Sequence, residues 1–208
     1  MSFRTYFSRQ AHKPTGWFGR WVMSYLFDIG NTRLNKLVLQ TLAPKAGDRI
    51  LEIGCGTGKL LDSMVKGCSK CDAEGIDFSD TMVSIARRKN RKHIATGKVV
   101  IHKGNVDEMP LREETYTKVY SINTIYFWPH PRDTSKKIAH LIKPRGKFAL
   151  GFEDIAQLEQ RRLDRSVFRF YSTSDVEIIL IEAGFTGGVT TRSIRVGSSV
   201  FHCTVAPT

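Results

Sequence analysis

Glu52 stands two residues ahead of the first of three alternate glycines, Gly54, Gly56 and Gly58, in the stretch Arg49–Leu61, R-I-L-E-I-G-C-G-T-G-K-L-L. Glycines at alternate positions let a backbone turn close around a ligand, because they carry no side chain and tolerate positive φ. The pattern is G-x-G-x-G, with Lys59 where the last glycine of a dinucleotide-binding G-x-G-x-x-G would fall. A carboxylate beside the turn would repel a pyrophosphate, yet it suits a ligand that carries an ammonium group. No G-x-x-x-x-G-K-[ST] occurs, which excludes a Walker-type phosphate loop. Asp77 ends a second apolar run, Ala73-Glu74-Gly75-Ile76-Asp77-Phe78, where a carboxylate can hold ribose hydroxyls. The ligand these residues suit has a ribose and a cationic or zwitterionic tail.

The elements that must position these groups follow from periodicity. Ile50, Leu51 and Ile53 mark a short buried strand before the turn, and Leu60, Leu61, Met64 and Val65 have helical spacing after it. Further strands are expected at Ala73–Phe78, Lys98–His102, Thr117–Asn123 and Lys147–Phe152, with helices between them. Ser79 and Asp80 are candidate caps of a helix that carries Met82, Val83, Ile85 and Ala86 inward and a run of arginines and lysines at its end. A polar, arginine-rich connector (153–169) precedes a helix at Thr173–Ala183, which Gly184 terminates. Gly188–Val196 and Ser199–Val205 are joined by Gly197-Ser198, which predicts an antiparallel hairpin. The fold class expected is α/β: a doubly wound, seven-stranded, mostly parallel sheet ending in that hairpin. Ligands of such sheets bind beyond the C-terminal strand ends. Those ends carry Gly54–Gly58, Asp77, Asn105–Val106 and Asn123–Trp128.

With these pieces assembled, the chain resembles the class I S-adenosylmethionine-dependent methyltransferases, particularly small ones of the ubiquinone/menaquinone-biosynthesis type. The matching segments are L-E-I-G-C-G-T-G (51–58), G-I-D-F-S-D-T-M (75–82), G-N-V-D-E-M-P-L (104–111), H-L-I-K-P-R-G-K-F (140–148) and A-G-F (183–185). The resemblance implies a Rossmann-like fold and S-adenosylmethionine as cofactor. Glu52 and the backbone of Gly54, Cys55, Gly56 and Gly58 would hold the methionine moiety. Asp77 would accept the ribose hydroxyls, while Phe78 or Met82 would flank the adenine. The family usually has Asp where Asn105 stands, and Asn105 can still accept the adenine amino group through its carbonyl oxygen. The Val106 amide would meet a ring nitrogen, and Asn123 would line the cofactor near its sulfonium.

The implied reaction is methyl transfer by in-line displacement to a small-molecule acceptor, for which the chain must align a nucleophile and exclude water. Tyr126, His130, Glu153 and Tyr171 are the candidate bases, with His12 if the N-terminal segment covers the mouth. The aromatic loop Tyr126-Phe127-Trp128 serves either as a substrate wall or as packing for the next helix.

At 208 residues the chain is expected to be a single domain, with residues 1–44 a helical cap or lid and 45–208 the core. No apolar run reaches a membrane-spanning length, and a cytoplasmic enzyme is the expectation. The net charge of +12 favours anionic partners, and residues 87–103 hold seven Lys or Arg and no acid. Trp17 and Trp21 among basic residues suit an anionic membrane, so a phospholipid-headgroup N-methyltransferase is the alternative reading. RNA methylation is disfavoured, because Asn123-Thr124-Ile125-Tyr126 is not the N-P-P-[YF] element of amino-methylating nucleic-acid enzymes. A non-catalytic S-adenosylmethionine-binding subunit is a further alternative. The four cysteines are too few for a disulfide framework, and Cys68-Ser-Lys-Cys71 lacks the second pair of a zinc knuckle, so no metal is expected.

Overall fold

The computed structural model describes residues 32–161 and 165–208. The expectations for residues 1–31, including His12 and the membrane contact through Trp17 and Trp21, lie outside the described residues. The described chain begins with α1 (Thr32–Leu42), then β1 (Arg49–Ile53), α2 (Lys59–Gly67), β2 (Asp72–Asp77), α3 (Asp80–Lys89), α4 (Arg91–Ala95) and β3 (Val99–Lys103). β4 (Tyr116–Ile122) follows, then a 3-10 turn at Ile125–Phe127, α5 (Pro131–Leu141) and β5 (Ile142–Glu153). The chain closes with α6 (Ile155–Gln160), α7 (Thr173–Glu182), β6 (Thr190–Val196) and β7 (Ser199–Pro207).

The strands form one seven-stranded sheet in the order β3-β2-β1-β4-β5-β7-β6. β1 to β5 pair in parallel, and β7 inserts antiparallel between β5 and β6. The order reverses between β1 and β4, which places a ligand crevice beyond the end of β1. This is the expected fold class.

Alternation along the strands sends side chains to two cores. Leu51, Ile53, Val119, Phe148 and Leu150 pack with Ile138 of α5 and Val176 and Leu180 of α7. Ile50, Tyr120 and Ala149 pack with Leu34 and Val38 of α1, Leu61 and Met64 of α2, and Val83 of α3. Both faces are covered, as a parallel sheet requires. Leu34, Val38 and Leu42 are fully buried, each burial contributing roughly 1.5–3 kcal/mol. Gly151 of β5 makes this close approach of α1 possible, since a Cβ there would lie 3.0 Å from Val38 and 3.2 Å from Leu34. Thus α1, inside the segment expected to be a cap, packs directly on the sheet.

Three local expectations differ from the structure. The basic helix ends at Lys89 and restarts as α4, because the buried Asn90 side chain donates to the Gly58 and Ala86 carbonyls, both at 3.0 Å. The connector after β5 contains α6, capped by Asp154, whose Oδ1 accepts the Ala156 amide. Cys68 and Cys71 form a disulfide where α2 ends and β2 begins, while Cys55 and Cys203 are free and buried. The Cys68-Ser-Lys-Cys71 pair, which had the spacing of half a zinc knuckle, is thus a short disulfide bridge.

Candidate active site

The glycine turn is built as the spacing demands. Gly54, Gly56 and Gly58 all have positive φ, at 72°, 51° and 68°. The Gly54 and Cys55 amides donate to the Ile76 carbonyl at 2.8 and 3.0 Å, tying the turn to β2. Side chains at the outer two glycines would collide: Gly54 with Thr124, and Gly58 with Asn90 at 2.6 Å and Ala86 at 3.0 Å. A Cβ at Gly56 would meet nothing within 4 Å. The turn is therefore packed at both ends and open in the middle.

Asp77 faces this opening from the end of β2. Its Oδ2 accepts the Gly56 amide and its Oδ1 the Ser79 amide, both at 2.9 Å. Burial raises its pKa, and the two amides work against that rise. Each carboxylate oxygen keeps a further acceptor position after these bonds.

Glu52 is buried on β1, directly opposite Tyr120 of β4. Burial pushes its carboxyl up to about 8, with Asp77 adding repulsion and the Tyr120 hydroxyl opposing the rise. Its Oε2 and the Tyr120 hydroxyl are both buried without a hydrogen-bond partner among the described residues. Orphaned polar atoms of this kind are costly to bury and call for a partner. Sequence reading missed Tyr120, which was legible only as one apolar position of strand four.

The remaining site residues cluster on neighbouring strand ends. Asn105 Oδ1 accepts the Asp107 amide at 3.2 Å in a turn after β3, and Val106 beside it is buried. Met82 is buried and Phe78 half-buried at the start of α3. Asn123 follows β4 with φ 55°, a left-handed conformation that Asn tolerates better than most residues. Its Oδ1 accepts from the Tyr126 hydroxyl at 3.2 Å.

The candidate bases separate clearly. The Tyr126 hydroxyl also accepts the Glu153 amide at 2.7 Å, and burial drives its pKa far up. Buried and bonded on both sides, it is a structural tie between the ends of β4 and β5 and unsuited to be a base. Tyr126 and Trp128 are buried, and Phe127 meets Phe168 with ring centroids 4.7 Å apart, so the aromatic loop packs inward. Glu153 is buried with its carboxylate held by Arg161, at 2.6 Å, and by Gln157. His130 is exposed at the N-cap of α5. Tyr171 is half-buried, its pKa raised by burial against the pull of Arg169.

Comparison with known proteins agrees with this geometry. The methyltransferase domain family matches residues 50–146. YdaC of Bacillus subtilis, described as an uncharacterized methyltransferase, is 30% identical over 129 residues, 62% of this chain and 69% of YdaC. The chain belongs to the class I S-adenosylmethionine-dependent methyltransferases. The 27-O-demethylrifamycin SV methyltransferase of Amycolatopsis mediterranei is 28% identical over 128 residues, 62% of this chain and 47% of that relative. The match thus spans only about half the length of such longer relatives. Phosphoethanolamine N-methyltransferase 2 of Haemonchus contortus, solved with S-adenosyl-L-methionine, shares the fold with a TM-score of 0.79 at 15% identity, covering 100% of this chain and 60% of that one. As a methyltransferase, the chain keeps its glycine turn, Asp77 and Glu52 on one side of the sheet's switch point. No helix among the described residues is long and apolar enough to cross a membrane.

Proposed function

We propose that the turn at Gly54–Gly58 holds S-adenosylmethionine and that the chain transfers its methyl group to a small-molecule acceptor. The observation that carries this reading is the orphaned, buried Oε2 of Glu52, whose carboxyl neighbours Asp77 and the turn residue Cys55. A carboxylate oxygen without a partner suits an ammonium group, and it would be a poor neighbour for a phosphate. The bound cofactor supplies a methyl group already made electrophilic by its sulfonium.

The chain's own residues then divide the work. Glu52 and the turn backbone, including Cys55, hold the amino-acid end. Asp77 accepts the ribose hydroxyls with the acceptor positions left over from its two amide bonds. Phe78 or Met82 would flank the adenine, and Asn105 and the Val106 amide would read its edge. Asn123, whose Oδ1 accepts from the Tyr126 hydroxyl, would line the cofactor near its sulfonium. The acceptor would enter beyond β4 and β5; residues 1–30, expected to cover the site, lie outside the described residues. Alignment and exclusion of water are the chain's contribution to rate.

The rifamycin relative supports an organic small-molecule acceptor. The residues that suggested a membrane acceptor, Trp17 and Trp21, lie outside the described structure, and no described residue adds to that reading. The test is transfer of labelled methyl from S-adenosylmethionine into a cell extract separated into small-molecule, lipid and RNA fractions. Label in the small-molecule fraction is the expected result, and label confined to lipid or RNA overturns the acceptor class.

A further inference from the structure

Among the described residues, the surroundings of Glu52 in the sheet hold acids and hydroxyls but no countercharge. The titratable groups facing it are Asp77 from β2, Tyr120 from β4 and Cys55 from the turn. Glu52 lies opposite Gly75 on β2 and Tyr120 on β4, so neither neighbouring strand brings a cation against it. The Tyr120 hydroxyl is buried completely and, like Glu52 Oε2, lacks a hydrogen-bond partner among the described residues. A carboxylate here would be desolvated beside a second carboxylate, and such a group takes up a proton instead. Asp77 is the weaker candidate for that proton, because the Gly56 and Ser79 amides already stabilise its charge. Consistently, the Glu52 carboxyl lies at about 8.

We propose that cofactor binding expels a proton from Glu52, which is a neutral acid in the free protein and becomes the carboxylate partner of the cofactor's ammonium group, with the Tyr120 hydroxyl donating to it. This rests on the reading that the turn holds S-adenosylmethionine. The step balances simply: the Glu52 O–H bond breaks, the proton passes to the buffer, and the ammonium and the Tyr120 hydroxyl keep their hydrogens. The device makes the site selective. A ligand without the ammonium group gains no ion pair to drive the proton off. Affinity for the cofactor therefore rises about tenfold per pH unit below the Glu52 value and levels off above it.

Calorimetry with S-adenosylhomocysteine, in phosphate and in Tris about one pH unit below the Glu52 value, counts the protons released from the difference in heats. The wild-type protein is expected to release close to one proton per ligand, and Glu52→Gln none, with weaker binding that no longer follows pH. Tyr120→Phe should still release the proton but move the pH dependence upward, because the carboxylate loses its donor. Infrared difference spectra give a second readout that needs no variant: the protonated-carboxyl stretch should vanish when ligand is added. Binding by the wild type with identical heats in both buffers overturns this inference. No binding in either buffer overturns the functional reading beneath it.

Discussion

Asp77 and Gly56 are joined by a 2.9 Å hydrogen bond from the glycine amide to the carboxylate, linking the end of β2 to the one part of the turn that is open. The residue that would hold the ribose thus also sets the shape of the turn that would hold the rest of the cofactor. Asp77→Ala removes this bond, the Ser79 bond and the proposed ribose contacts together. Hydrogen bonds to a charged group contribute about 1.5–3 kcal/mol each, so losing two ribose contacts should lower cofactor affinity by about two to four orders of magnitude in calorimetry. Unchanged affinity would remove Asp77 from the site.

The glycines separate binding from folding. Gly56→Ala adds a methyl that meets no protein atom, at a positive φ costing roughly 1–2 kcal/mol. It should melt only slightly early but bind cofactor poorly, because the methyl enters the cradle. Gly58→Ala drives a methyl against Asn90 and Ala86 and should lower the melting temperature more. Thermal melts with and without S-adenosylhomocysteine distinguish the two. Equal melting losses, with ligand stabilisation kept in Gly56→Ala, would contradict the assignment of the open face.

Stability should carry the signature of Glu52. Its folded value of about 8 exceeds its ordinary 4.5, so the folded state holds a proton that the unfolded chain releases. That contribution is complete below 4.5 and disappears as pH rises through 8. Glu52→Gln, which cannot ionise, should therefore be more stable than wild type above pH 8, by on the order of a few kcal/mol. Denaturant melts at acidic and alkaline pH check this. A Glu52→Gln protein that loses stability on the alkaline side relative to wild type would contradict it.

Tyr126→Phe should cost stability without changing the pH dependence of turnover. Removing the hydroxyl leaves the buried Glu153 amide unpaired, at about 1–3 kcal/mol. A change in the pH–rate profile would restore Tyr126 as a base.

The features legible in the sequence were those set by local spacing. The strand, the alternate glycines and Glu52 lie within a dozen residues, and Asp77 ends a run that is visibly a strand. The mostly parallel sheet and its closing hairpin followed from the alternation of elements and the Gly197-Ser198 link. The missed features depend on which side chains meet across the sheet. Tyr120 matters because register sets it opposite Glu52, a contact spanning β1 and β4 that periodicity cannot reveal. Asn90 looks like the polar tail of a basic helix, yet it bonds the Gly58 carbonyl from the next helix over. Tyr126 read as a reactive phenol in a loop because its burial comes from Phe168, some forty residues on.

Titration of S-adenosylmethionine and of NAD into the purified protein, with Gly56→Ala in parallel, tests the central claim most directly. The account predicts saturable heat with S-adenosylmethionine, none with NAD, and loss of the signal in Gly56→Ala. Binding of NAD without binding of S-adenosylmethionine would contradict it.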